Sequence, residues 1–218
     1  MEELVAGYLK FRRTAYPERA ALFHALAHSQ TPRVLFITCS DSRVVPDLLT
    51  QEGPGSLFVV RNAGNIVPSY GPEPGGVSAS VEYAIAVLGT QDVVICGHSD
   101  CGAMGAIARR HDLSHLPAVA RWLQHADAAR ATNALRQYNS VQERIADLIR
   151  ENVVVQLANL QTHPSIALAR SQQKLRIHGW VYDIESGQID ALDSASGKFV
   201  ELSEHPDVAA LAGRQNIA

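Results

Sequence analysis

Apolar and polar positions along the chain alternate between two periods, and each predicts its own kind of element. Short β-branched and aromatic runs occupy residues 33–38, 57–60 and 92–96, and Gly, Ser or Asn follows each within two residues. They have the length of central strands and predict loops at their C-terminal ends. A helical period covers residues 1–29, with Leu4, Tyr8 and Phe11 on one face and Leu22, Phe23 and Leu26 in a second run opened by Pro17; Pro32 closes this arm. Residues 44–49 predict a short helical turn, and 53–55, 61–65 and 71–76 predict loops. Residues 78–88 are small and apolar nearly all round, which predicts a buried helix. Helical spacing returns at 102–110, through most of 117–160 and at 164–172, being clearest over 141–160. Residues 175–182 alternate as a strand, and 185–187 turn the chain towards 189–192 as a hairpin at the edge of a sheet.

Strands separated by helices imply an α/β fold: a mainly parallel central sheet flanked by helices, preceded by the N-terminal helical arm. The 218 residues fit a single domain, with an arm at 1–29, a core at 30–193 and a C-terminal tail at 194–218. With 46% apolar and 19% charged residues the composition is that of a soluble globular protein, and a net charge of -3 without basic blocks argues against nucleic acid or a membrane surface as partner. The first residues lack the basic-then-apolar run of a secretion signal, and no stretch approaches the roughly 18 apolar residues of a membrane span, so a cytoplasmic location is expected. Three cysteines, an odd number, argue against a disulfide framework and suit metal ligation better.

Two of those cysteines stand in polar clusters at predicted strand ends, Cys39-Ser40-Asp41-Ser42-Arg43 and His98-Ser99-Asp100-Cys101-Gly102. Ligands of open α/β sheets gather at such ends. Cys39, His98 and Cys101 offer two thiolates and an imidazole, a set that favours zinc, and Asp41 is close enough in sequence to be a fourth ligand. The clusters are 57 residues apart (98 − 41), unlike the compact knuckles of zinc fingers. Spacing alone leaves two readings open, a catalytic ion in a shaped cleft and a closed four-ligand ion that pins two loops. Gly97 to Gly102 has the glycine spacing of a phosphate-binding loop but continues with Ala103 and Met104, where lysine and a hydroxyl residue are required. Cys39 and Arg43 are too close together to wrap a phosphate in the manner of a cysteine phosphatase. Cys96, inside an apolar run, reads as a small buried hydrophobe, and the histidines other than His98 read as surface or packing residues.

Taken together, the two clusters resemble the paired signature of the β-class carbonic anhydrases. The similarity extends to Arg61-Asn62-Ala63-Gly64-Asn65, Ser80-Val81-Glu82-Tyr83 and His178-Gly179-Trp180-Val181-Tyr182-Asp183, and is greatest to bacterial members encoded beside cyanate-degrading enzymes. The resemblance implies a zinc enzyme that interconverts carbon dioxide with bicarbonate and a proton, built as a homodimer or an assembly of dimers. It implies Cys39, His98 and Cys101 as permanent zinc ligands, and Asp41, held by Arg43, as a switchable fourth ligand or the partner of the zinc's solvent. It implies Gln30 as an amide reaching the substrate across the dimer interface, Phe58, Ala63 and Tyr83 as an apolar pocket, and the Gly102 N–H as a donor to a substrate oxygen. Some members bind inhibitory bicarbonate through a tryptophan, an arginine and a tyrosine; Arg61 and Tyr182 match, whereas Phe36 replaces the tryptophan. Zinc lowers the pKa of bound water to about 7, which suits attack on an apolar, uncharged molecule. Hydrolysis of carbon disulfide or carbonyl sulfide on the same scaffold, and a non-catalytic zinc module, are the alternatives.

Overall fold

β-Branched side chains at Val34–Cys39 (β1), Leu57–Asn62 (β2), Asp92–His98 (β3) and Arg176–Tyr182 (β4) build a parallel sheet, to which Ile189–Asp193 (β5) and Lys198–Glu201 (β6) add an antiparallel end. The order is β2-β1-β3-β4-β5-β6. The structure is a computed structural model and describes residues 1–205 and 208.

One face of the sheet carries most of the core. Leu35, Ile37, Val93, Ile95 and Val181 pack there against Ile145, Leu148, Ile149, Val153, Leu157 and Leu160 of one long helix, Val141–Gln161. That helix is about 31 Å long at 1.5 Å per residue. Its start is fixed by Ser140, whose hydroxyl accepts the Glu143 N–H at 3.0 Å, while the Glu143 carboxylate accepts the Asn139 N–H at 2.8 Å. It lies close to the sheet because Gly179 has no side chain: a Cβ there would come within 2.8 Å of Leu157 and 2.9 Å of Val153. The opposite face is thinner, with buried Phe36, Val94 and Cys96 covered in part by Val34, Leu49, Trp180 and Tyr182.

Ahead of the sheet, α1 (Glu2–Arg13), α2 (Ala15–Glu18) and α3 (Ala20–Leu26) form the arm, and none of them buries a residue. Leu4 is 72% exposed and Tyr8 59%. The arm coheres through the rings of Phe11, Tyr16 and Phe23, whose centroids lie 5.3–6.0 Å apart. Later helices are α4 (Pro46–Thr50), α5 (Gly76–Glu82), α6 (Gly102–Ala108), α7 (Pro117–Leu123), α8 (Asp127–Ala134), α9 (the long helix) and α10 (Pro164–Ser171).

The structure departs from the sequence expectations in three places. Arg61 and Asn62, read as loop, extend β2, because β1 supplies Thr38 and Cys39 as register partners and strand pairing overrides their polarity. The segment 78–88 is helical as expected, but it is α-helical only to Glu82 and then widens into a π-helical turn over Tyr83–Val87, the Leu88 N–H donating to the Tyr83 carbonyl at 3.0 Å. It is buried on one side only: Val81, Ala84 and Ile85 face the core while Tyr83 is 45% and Val87 64% exposed. Finally, β5 is not the sheet edge; β6 pairs beside it, inside the stretch read as tail. Of that tail, residues 206, 207 and 209–218 lie outside the described residues.

Candidate metal centre

From β1 the chain crosses to β2 on one side and later to β3 on the other, so the carboxyl ends of β1 and β3 flank a topological switch point, where such sheets open a crevice. Cys39 ends β1, His98 ends β3, and Cys101 precedes the first turn of α6. Their donor atoms all lie within 4.8 Å of one another, and the three side chains are buried.

The donor set fits a metal ion. His98 Nδ1 lies 2.9 Å from the Ser99 carbonyl, which accepts its proton and leaves the lone pair on Nε2. Nε2 is buried, and with Asn65 Nδ2 it forms the pair of buried side-chain atoms without a hydrogen-bond partner among the described residues. The Cys39 thiol is held well below the ordinary range by the Cys101 thiol, by His98 and by the Gly64 N–H, against the opposing effect of burial. Cys101 is pushed up by the neighbouring Cys39 and by burial. Without a metal, then, the two sulfurs share a proton; a dication in its place neutralises both as thiolates, and two thiolates with an imidazole are three of the four ligands zinc takes. By contrast, burial pushes the Cys96 thiol up to about 12, which leaves it a protonated hydrophobe, as the sequence implied.

Beside the cluster stands a charged pair. Asp41 accepts Arg43 Nε at 2.9 Å and Nη2 at 2.8 Å, and also the Arg43 backbone N–H at 3.0 Å. These bonds, the side-chain ones above all, hold the Asp41 carboxyl far below the usual range. Arg43 is held in turn by the Asp100 carbonyl at 3.2 Å. Asp41 Oδ2 is 3.8 Å from His98 Nε2, too far for a hydrogen bond and close enough to border the ligand sphere. Arg61 braces the turn between them, donating to the Cys39 carbonyl at 3.2 Å and the Asp41 carbonyl at 2.7 Å.

The remaining residues fall into two groups. Gly102 and Ala63 are exposed and adjoin the cluster in sequence, one following Cys101 and the other preceding the Gly64 N–H that donates to Cys39 at 3.4 Å. The Phe58 ring is 6.0 Å from that of Tyr83, and Tyr83 shares an open groove of about 630 Å³ with Gln30, Leu26 and Gly55. The structure brings neither Gln30 nor Tyr83 into contact with the cluster within one chain. Sequence reasoning passed over Trp122, Asn152 and Gln156. The last two are fully buried polar residues on the apolar stripe of α9, and that interruption of the period was the available signal.

Comparison with known proteins adds an independent line. The carbonic anhydrase family matches residues 34–189. A carbonic anhydrase of Pseudomonas aeruginosa is 63% identical over 213 residues, covering 98% of this chain and 97% of that one. Among solved structures, that of the β-carbonic anhydrase CcaA aligns with a TM-score of 0.87 and 42% identity over 92% of this chain and 91% of that one. One of two tetrameric β-carbonic anhydrases from Sordaria macrospora aligns with a TM-score of 0.71 and 30% identity, over 91% and 94% of the respective chains.

Proposed function

The chain belongs to the β-class carbonic anhydrases, zinc-dependent enzymes that hydrate carbon dioxide reversibly to bicarbonate and a proton, and from that premise we propose which of its residues do the work. Cys39, His98 and Cys101 hold the ion. Zinc, when bound, supplies the nucleophile by acidifying water. The observation that carries the assignment is the buried, unpartnered His98 Nε2 facing two thiols that compete for one proton.

Asp41 and Arg43 are the catalytic pair. In the bidentate arrangement Asp41 is ionised and turned to the guanidinium, so a zinc held by Cys39, His98 and Cys101 would stay open to solvent, with Oδ2 near enough to accept a hydrogen bond from it. Released from Arg43, the same carboxylate would occupy the fourth position itself and close the site. Ala63, met across the subunit interface by Phe58 and Tyr83 of a neighbouring chain, completes an apolar wall suited to carbon dioxide, and the Gly102 N–H, at the free start of α6, binds a substrate oxygen. Gln30 belongs to the site of a neighbouring subunit, a reading supported by its exposed place beside Tyr83 on a groove that none of its own chain's cluster residues lines.

The unit is one domain that works as a homodimer or an assembly of dimers. The unburied arm supports this, as does the kinship to tetrameric proteins. Among the described residues no helix is long and apolar enough to cross a membrane. A cytoplasmic setting is supported by three free cysteines, two of which the metal needs reduced. The bacterial branch encoded beside cyanate-degrading enzymes is the physiological context we propose from the sequence resemblance, and the genes flanking this one test that reading.

The residue roles are tested with Arg43→Ala, by zinc analysis and stopped-flow hydration. The variant should keep one zinc per chain and lose most of its rate, because Asp41 loses its alternative partner. Parental rates at full zinc content would remove the pair from the mechanism.

A further inference from the structure

The peptide joining Ala63 to Gly64 is gripped at both ends. Its N–H donates to Cys39 Sγ at 3.4 Å, and its carbonyl, that of Ala63, accepts the indole N–H of Trp122 at 2.9 Å. In a trans peptide these groups point in opposite directions across one rigid plane, so fixing the carbonyl fixes the aim of the N–H. The following peptide is gripped as well. The Gly64 carbonyl accepts Asn152 Nδ2 at 2.9 Å; Asn152 Oδ1 accepts Gln156 Nε2 at 2.9 Å; and Gln156 Oε1 accepts the Val67 N–H at 2.9 Å. Two fully buried amides of α9 thus tie down the far side of the loop. Gly64 itself sits at φ +80, and a Cβ there would press on Met104 at 3.1 Å and Ala103 at 3.2 Å, so no other residue makes the turn without strain.

The geometry points to Trp122 as a positioning residue of the metal centre: by holding the Ala63 carbonyl it aims the Gly64 N–H at Cys39 and so sets how much charge that thiolate gives the metal. An N–H directed at a thiolate withdraws charge from the sulfur, and a hydrogen bond accepted at the carbonyl polarises the same peptide and strengthens its donor. Packing alone does not require an indole here. Trp122 is half-buried, and its packing against the core and against the His125 ring at 5.5 Å calls for an aromatic ring but not for an N–H. The directed N–H is what distinguishes it.

This inference rests on Cys39, His98 and Cys101 being the metal ligands, and the test keeps the two questions apart. Cobalt replaces zinc in the parent, in Trp122→Phe and in Leu123→Ala, which opens a cavity under the same helix and keeps the indole donor. In Trp122→Phe the sulfur-to-cobalt charge-transfer band should move to lower energy, because the sulfur is richer in charge. Zinc should also pass to a chelator about tenfold faster, because the more basic sulfur is protonated off the metal more readily. Leu123→Ala should keep the parental band and release rate. If Trp122→Phe does not fold, the benzothiophene analogue of tryptophan at position 122 keeps the shape, lacks the N–H, and should give the same shift. A parental band and release rate without the N–H, or equal shifts in Leu123→Ala, would overturn the role of Trp122. A parent that binds no cobalt would instead overturn the metal assignment beneath it.

Discussion

The metal corner and the N-terminal arm treat side chains that need partners in opposite ways. At the corner the chain supplies nearly every partner from within. The Asn62 side chain accepts the Ile66 N–H at 2.7 Å and donates to the Ile66 carbonyl at 2.9 Å, Asn152 and Gln156 bond the same loop, and His98 Nε2 is left for the ion. In the arm the chain supplies almost nothing. α1 presents Leu4, Val5, Tyr8 and Leu9 to the outside, although burying such a side chain is worth about 1.5–3 kcal/mol. A sequence that keeps this cost in a twelve-residue helix has a use for the surface elsewhere. On the proposed reading the corner is finished by a metal and the arm by another copy of the chain, and each half of that contrast can be broken separately.

The largest effect is expected at the corner. Cys101→Ser removes a thiolate from a three-donor set, and metal affinity should fall by more than about a hundredfold, taking hydration with it. Metal analysis after dialysis, with stopped-flow rates, measures both. Full zinc retention would mean that the ion is held by residues other than this trio, and the corner would lose its place in the comparison.

Next in size is deletion of residues 1–29. The corner is built from β1 onwards, so zinc should still bind, while the surface that receives the arm is laid bare and the protein should dissociate or aggregate. Sedimentation and zinc content on the same sample separate the outcomes. A monodisperse, fully active monomer would show that the arm completes nothing.

The same contrast governs what the sequence revealed. Strands β1 and β3 with their polar ends were plain, because both carry short apolar runs up to the polar clusters at Cys39 and His98, and the switch point then joins the clusters. The fate of residues 78–88 was not plain: an apolar run announces burial without saying in which chain, and Tyr83 and Val87 are left outside by their own subunit. Strand β6 was missed because Lys198–Glu201 is four residues long, with charged ends, and takes its conformation from β5. Trp122, Asn152 and Gln156 were missed for a third reason. Their partners lie 59, 88 and 89 residues away, so only the folded chain shows what their polar atoms are for.

The smallest effect is the most discriminating, because one chemical change is made in both regions. Leu148 is fully buried beneath the sheet, whereas Leu4 lies on the exposed face of α1. Leu148→Ala leaves a cavity and should cost about 2–5 kcal/mol whatever the protein concentration. Leu4→Ala removes nothing that its own subunit buries, so within one chain it should cost less than about 0.5 kcal/mol. Any larger loss must come from assembly, and assembly contributes to stability by mass action. Denaturation midpoints measured over a wide range of protein concentration should therefore show a constant deficit for Leu148→Ala. For Leu4→Ala the deficit should be absent at the dilute end, where chains are separate, and should appear as the parent associates. A deficit for Leu4→Ala that is large and independent of concentration would place its side chain in the subunit's own core, and the arm would then be finished by the chain that carries it.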